Sequence, residues 1–440
     1  MAGTSESFRV AGGATLSGSI TPQGAKNGAL QLISAVLLTE EEVHISNVPD
    51  ILDVRRLIDL LRGLGVEITR MSTNAYTFRA VDIDLDYLAS PSYQSTAKRI
   101  RGSVMLMGPM IARFRRAYMP KPGGDKIGRR RIDTHINGFK KLGADFDFDK
   151  ERDSYYLGGE DLKGNYILMD EISVTGTANL VMAAVLTPGE TTLYNAACEP
   201  YLQQLCQMLQ AMGAKITGIG SNRLIITGVD SLGGTSIRVM PDFIEIGSFI
   251  GLAAMTQSKL TIKGAGQADL GIIPNVFSTL GIDIQWQDDD LIIPEMDIYE
   301  VRPFIDGSIL TIYDAPWPGF TPDLISILLV VATQAKGSVL IHQKMFESRL
   351  FFTDKLIDMG AKVILCDPHR ATVIGLARQQ RLRGIEMTSP DIRAGVSLLI
   401  AALSAEGSSL IHNIQQIDRG YESIDSRLNA IGAEIERITL

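Results

Sequence analysis

Cysteine is scarce in this chain, with three in 440 residues, at positions 198, 206 and 366. An odd number, widely spaced and without a metal-type pair, excludes a disulfide framework and predicts buried, reduced thiols. Histidine is scarce as well. His135 and His342 stand alone, with no second His or carboxylate at ligand spacing, so no metal and no cofactor is expected. Long apolar runs are missing. The best, from Leu324 to Ala332, is about half of the roughly 18 residues a membrane helix needs and lies between Asp323 and Lys336. The N-terminus has neither the charged start nor the apolar core of a signal peptide, so a cytoplasmic location is expected. Positive charge is not in excess either. A formal net charge of −8 and a pI near 5.3 argue against nucleic acid or an anionic membrane as partner.

What the chain does have is a sixfold repeat. Six apolar-periodic segments stop at a glycine and run into a strand-like stretch, at Gly65, Gly143, Gly213, Gly281, Gly360 and Gly432. Glycine suits a helix stop because it takes the left-handed backbone without steric cost. A second motif, an apolar helix followed by a polar break and an alternating strand, keeps the same period. It reads Ala35–Ile45, Ala183–Leu193, Leu252–Ile262, Val330–Ile341 and Ile400–Ile411, with Met107–Met119 as a looser copy. Each unit is then roughly helix–strand–helix–strand, too large for a solenoid repeat. A chain of this length exceeds one core, and six units divide most simply into three and three.

Three places carry candidate chemistry. Pro120 to Gly128 is rich in Gly and Pro and reads as an exposed loop holding Asp125, followed at once by Arg129, Arg130 and Arg131. It reads as a lid with an acid and phosphate-binding cations, or as a solvated basic loop. It is not a Walker loop, because no Gly-Lys-Ser/Thr opens a helix. Gly24-Ala25-Lys26-Asn27 precedes an apolar helix, placing an ammonium, an amide and backbone N–H groups together, as a small anion requires; the plainer alternative is a helix start with a surface lysine. Asp323 precedes the most apolar helix and, taken by itself, reads better as its N-cap. Asp391-Ile392-Arg393 and Asp418-Arg419 are each predicted to open a helix, where an arginine opposes the macrodipole and a bound anion would account for it.

Taken together, Gly24-Ala25-Lys26-Asn27, the Pro-Gly-Gly-x-x-Ile-Gly-x-Arg loop and Ile417-Asp418-Arg419-Gly420-Tyr421-Glu422 resemble the UDP-N-acetylglucosamine enolpyruvyl transferase family over essentially the whole chain. The resemblance implies an α/β fold of two inside-out barrel domains, each of three repeated subdomains with helices inside and strands outside. It implies residues 1–25 with 241–440 as one domain, and 26–240, carrying a mobile loop 120–131, as the other, with the substrates in the cleft between them. The implied reaction moves the enolpyruvyl group of phosphoenolpyruvate to the 3′-hydroxyl of UDP-N-acetylglucosamine and releases phosphate, the committed step towards peptidoglycan. Carried over by position, Lys26, Asn27, Arg130, Arg349, Arg393 and Arg419 would bind phosphoenolpyruvate. Arg101, Arg130, Arg131, Ile132, Asp133, Thr134, Ser173, Val174, Asp323 and Met345 would bind the sugar nucleotide. Lys26, Asp323 as base and Asp125 as acid would be catalytic.

The chain departs from that pattern at Asp125, where the family usually has the cysteine that donates the proton and is alkylated by fosfomycin. Some members carry Asp there and remain enzymes. An ordinary aspartate is neutral only about 0.1% of the time at pH 7, a cost of roughly 4 kcal/mol for use as an acid. Fosfomycin resistance and an acidic activity optimum are the expectation. Arg131, Glu171 and Thr175 also depart, replacing a Pro, a Lys and a Gly near the nucleotide site. Two rivals remain: a non-catalytic UDP-sugar-binding regulatory paralogue, and the shikimate-pathway enolpyruvyl transferase. The latter should show a Lys-Ser pair and an Arg on the first helix, where this chain has Lys26-Asn27 and no such Arg.

Overall fold

The computed structural model describes residues 6–121, 123, 131–150 and 153–439. The chain forms two compact units, divided between Gln23 and Gly24 and between Met240 and Pro241. The C-terminal unit takes the start of the chain and everything from Pro241 on; the N-terminal unit takes the described residues between.

All six predicted glycine stops form the same motif. Each glycine donates to the carbonyl three residues back and its successor to the one five back, as in Gly65 N to Arg62 O and Val66 N to Leu61 O. This is the Schellman closure, which needs φ above zero at the glycine; Gly65 has φ 92° and Gly432 has φ 108°. The helices they end are Leu52–Gly63, Asp133–Lys141, Pro200–Ala211, Ile273–Thr279, Thr353–Asp358 and Ile424–Asn429.

A second set of six lies inside: α1 (Lys26–Ala35), α2 (Met107–Phe114), α3 (Val174–Ala184), α4 (Phe243–Met255), α5 (Ile325–Ala332) and α6 (Ile392–Ser404). Every residue of α4 and α5 is buried, and of α6 all but Ser404. A helix apolar all round must be surrounded by protein. In the C-terminal unit α4, α5 and α6 pack on one another; in the N-terminal unit α2 packs on α3. Each large apolar side chain so buried contributes about 1.5–3 kcal/mol. The sheets lie outside them and alternate, as in Arg370–Ile374, where Ala371 and Val373 face the core. Cys366 lies on the neighbouring outer strand Lys362–Asp367 and is exposed. Only Cys198 and Cys206 are buried as expected.

The six sheets among the described residues divide three to each unit, and the inside-out α/β arrangement is present in both. In the regular case an edge strand precedes an inner helix and pairs in parallel with the strand after it. Tyr166–Leu168 thus pairs with Glu190–Tyr194 across α3, and Leu310–Tyr313 with Ser338–His342 across α5. At the two crossings between units the edge strands are exchanged. Ser17–Ile20 precedes α1 but pairs with Lys259–Ile262 after α4; Thr235–Arg238 precedes α4 but pairs with Val43–Ser46 after α1. The last sheet is closed by the other end of the chain: Glu6–Ala11 lies between Ser408–His412 and Glu434–Thr439, antiparallel to both. Among the described residues, the loose copy around α2 has a three-stranded sheet and no parallel edge strand.

Candidate functional site

The inner helices start where the candidate residues lie. Lys26 is the first residue of α1, Ser173 caps α3, Asp323 lies two residues before α5, and Arg393 is the second residue of α6.

In the C-terminal unit, Asp323 does not cap its helix. Its carboxylate accepts from Arg349 Nη2 at 2.5 Å and from Arg393 Nε at 3.2 Å. Both arginines are nearly buried, at 8% and 5% exposure, and Arg349 Nε and Arg393 Nη1 have no hydrogen-bond partner. A buried guanidinium with an unmade bond costs free energy unless an acceptor arrives. Arg393 also lies over the Tyr421 ring, 5.5 Å from its centroid, and the Tyr421 hydroxyl meets Ser248 Oγ at 2.9 Å. Burial opposes the charge of Arg393, but the neighbouring Tyr421 and Asp323 outweigh it and hold its pKa above the usual value. Asp391 caps α6, accepting from the backbone of Arg393 and Ala394 at 2.8 and 3.0 Å, which seats Arg393 in the first turn.

Arg419 requires a correction. The helix Gln415–Asp418 ends there rather than beginning, so Arg419 occupies a C-terminal position that the dipole favours. Its placement therefore calls for no anion. It is buried and donates to Gln416 Oε1 at 2.8 Å. Met345 is exposed; its backbone N–H, with that of Lys344 and the Gln343 amide, donates to the wholly buried Asp314. Burial pushes the Asp314 carboxyl up.

In the N-terminal unit, Lys26 is not a surface lysine. At 7% exposure its Nζ meets Asp53 Oδ2 at 2.7 Å, and Asp53 is itself buried in the first turn of Leu52–Gly63. Arg56 approaches the other Asp53 oxygen at 3.9 Å. Sequence reading missed Asp53, because an acid in a first helical turn already has a local explanation in the dipole. Asn27 is half-buried. Arg101 begins a 3-10 turn, Arg101–Leu106, and its Nη2 donates to the carbonyl of Arg131 at 3.0 Å. Ile132 is turned into the core and Asp133 is exposed, while Thr134 is buried. Hydrogen bonds from Thr134, first, and Asn137 hold the Asp170 carboxyl below its usual range. Ser173 Oγ accepts from Gly176 N, and Val174 is half-buried. Thr175, one of the departures, bonds His135 Nε2 at 2.9 Å; burial drives the His135 pKa down to about 3. Glu171 is exposed. Asp125 and Arg130 lie outside the described residues. Among the described residues no cluster of three His, Cys, Asp or Glu is arranged to hold a metal, and no helix is long and apolar enough to cross a membrane.

Comparison with known proteins extends over the whole chain. The profile of the EPSP synthase (3-phosphoshikimate 1-carboxyvinyltransferase) family matches residues 10–428. Proteins named UDP-N-acetylglucosamine 1-carboxyvinyltransferase are 63% identical in Bacteroides fragilis, 62% in Porphyromonas gingivalis and 48% in Bradyrhizobium diazoefficiens; each alignment covers 98% of this chain and 98–100% of the relative. Among solved structures, the enolpyruvyl transferase NikO from Streptomyces tendae matches with a TM-score of 0.88 at 22% identity, covering 99% of this chain and 100% of that one. An EPSP synthase from Acinetobacter baumannii matches at 0.73 and 19% with the same coverage. At these identities the two structures speak for the fold alone.

Proposed function

Because this chain belongs to the EPSP synthase family of enolpyruvyl transferases and, within it, to the UDP-N-acetylglucosamine 1-carboxyvinyltransferases, we propose that it transfers the enolpyruvyl group of phosphoenolpyruvate to the 3′-hydroxyl of UDP-N-acetylglucosamine, releasing phosphate. In the cell this would be the committed step of peptidoglycan precursor synthesis. The observation that carries the reading is the buried cluster at Asp323. One carboxylate is held by two guanidiniums, each with an N–H still unmade, a geometry suited to receiving an oxyanion beside a base.

In this reading Asp323 takes the proton of the sugar hydroxyl as its oxygen adds to the enol carbon. An incoming anion that draws either arginine away leaves the carboxylate freer to accept that proton. Lys26, Asn27, Arg130, Arg349, Arg393 and Arg419 hold the carboxylate and phosphate of phosphoenolpyruvate. Arg101, Arg130 to Thr134, Ser173, Val174 and Met345 hold the sugar nucleotide. Asp125 delivers the proton to the methylene carbon, and loss of a methyl proton as the C–O bond to phosphate breaks restores the double bond of the enolpyruvyl product; bound anion and exclusion of water both raise the Asp125 pKa towards the working range. A carboxylate in place of the thiol makes the enzyme resistant to fosfomycin, and Asp125→Cys gains sensitivity. Rapid inactivation of the wild type by the drug would overturn this assignment.

The test is phosphate release from phosphoenolpyruvate with and without UDP-N-acetylglucosamine across pH 5 to 9. Release that requires the sugar nucleotide and rises towards acid supports both the activity and Asp125. Binding of the nucleotide without release at any pH would mean a regulatory paralogue. Release driven by shikimate 3-phosphate would mean the other substrate.

A further inference from the structure

Lys26, Ser173, Asp323 and Arg393 lie at the N-terminal ends of inner helices. At the opposite end of the C-terminal unit, where α4, α5 and α6 finish, lies a cavity of about 360 Å³ that the reaction does not use. Its lining includes Met255 and Thr256 at the end of α4, Gln334 just past α5 and Ser404 at the end of α6. Its charged lining is Arg378, Arg381 and Asp297, with Thr15, Gln257 and Gln379 as further polar neighbours. α4 is 13 residues long, about 20 Å at 1.5 Å per residue, so this cavity is remote from the helix starts.

Three helix C-termini present carbonyl oxygens and the negative end of the dipole, which by themselves favour a cation. Those oxygens, however, are already engaged. Arg378 donates through Nη1 to Met255 O at 3.2 Å and through Nη2 to Ala254 O. Gly13 N donates to Leu403 O at 2.8 Å, Ala405 N to Ala402 O at 3.2 Å, and the Tyr299 hydroxyl to Val331 O at 2.7 Å. What remains unmade is of the opposite kind. Gln334, 3% exposed, has its Nε2 buried without a hydrogen-bond partner, and Arg378 Nε is in the same condition. Two guanidiniums against one carboxylate leave the wall with one positive charge in excess. Buried polar groups without partners are rare in folded proteins, and here both are donors on side chains that line a cavity far larger than one water needs.

We propose that this cavity is a second binding site, for a small metabolite presenting a carboxylate or phosphate oxyanion to Gln334 and Arg378, with Arg381 at its side. The assignment is independent of the identity of the transferase substrates.

Calorimetric titration of the full-length protein with inorganic phosphate, and separately with citrate, tests it and distinguishes the two sources of oxyanion. Because the transferase site also takes anions, the titrations are repeated on Lys26→Met, which disables that site, and on Gln334→Leu and Arg381→Glu. The expected result is a class of site for at least one ion that persists in Lys26→Met and weakens tenfold or more in both cavity variants. KM for phosphoenolpyruvate should stay unchanged in those two. Gln334→Leu should also raise the Tm of the unliganded protein, since it removes an amide with an unmade bond. Binding that vanishes in Lys26→Met, binding that survives in Gln334→Leu, or no binding of either ion overturns the proposal.

Discussion

The inner helices of the two units come from one repeat and are built differently. In the C-terminal unit α4 and α6 each begin at an aspartate, Asp242 and Asp391, whose side chain closes the first turn. In the N-terminal unit α1 begins at Ala25 without a side-chain cap, and α2 follows a 3-10 turn instead of an edge strand. The charge balance differs too. The C-terminal unit holds one carboxylate, Asp323, between two arginines with N–H groups to spare, whereas the N-terminal unit holds one lysine, Lys26, against the buried Asp53. The first arrangement leaves donors unmade. The second fixes a cation in place. The repeat supplies the scaffold in both units, and the proposed chemistry lies at the starts of its inner helices.

The sharpest way to break this contrast is Asp323→Asn. Phosphate release dependent on the sugar nucleotide should fall by about 10²–10⁴-fold, the usual worth of a general base, while circular dichroism stays native. Activity within a few-fold of wild type would remove Asp323 from the chemistry. Lys26→Met probes the other unit: it leaves buried Asp53 without its lysine and should cost about 3 kcal/mol in denaturant unfolding. Adding Asp53→Leu should return most of that stability without returning activity. If the double variant regains activity, Lys26 is structural.

Packing gives a smaller effect. A Cβ at Gly108 in α2 would lie 2.4 Å from the Asn179 backbone oxygen, while one at Gly247 in α4 would meet the Leu324 side chain at 2.4 Å. A side chain can turn away and a backbone cannot, so Gly108→Ala should cost about 3 kcal/mol and Gly247→Ala about 1 kcal/mol. Equal losses would mean that α2 is as adaptable as α4. The last effect is spread over pH. His135, with its pKa driven from 6.5 to about 3 by burial, binds its proton in the unfolded chain first. Stability is therefore lost as pH falls below 6.5, at up to about 1.4 kcal/mol per pH unit, until the folded pKa is reached. His135→Gln should flatten that slope between pH 6 and 4 in urea melts; an unchanged slope would place the acid sensitivity elsewhere.

Much of this was legible in the chain because it is local. A Schellman stop is written in one glycine and the apolar residues around it, and all six form. The apolar helix before each alternating strand was equally plain, and even the loose copy, Met107–Met119, is the irregular one. Other readings failed where two local explanations competed. Asp323 before an apolar helix looks like a cap, and Lys26 at a helix start looks like a surface residue. Asp418-Arg419 looks like a helix start and is a helix end.

The sequence by itself determined the number of repeats, their punctuation, and which helices must be buried, since each follows from backbone freedom or apolar periodicity within about 20 residues. Tertiary structure alone decided which strand completes which sheet. The exchange of Ser17–Ile20 with Thr235–Arg238, and the insertion of Glu6–Ala11 beside the last strand, join segments hundreds of residues apart. The same holds for Asp323 with Arg393 and for the unmade donors of Gln334 and Arg378. Such pairings depend on what burial brings near and which hydrogen bonds it leaves unmade, and no local pattern encodes either.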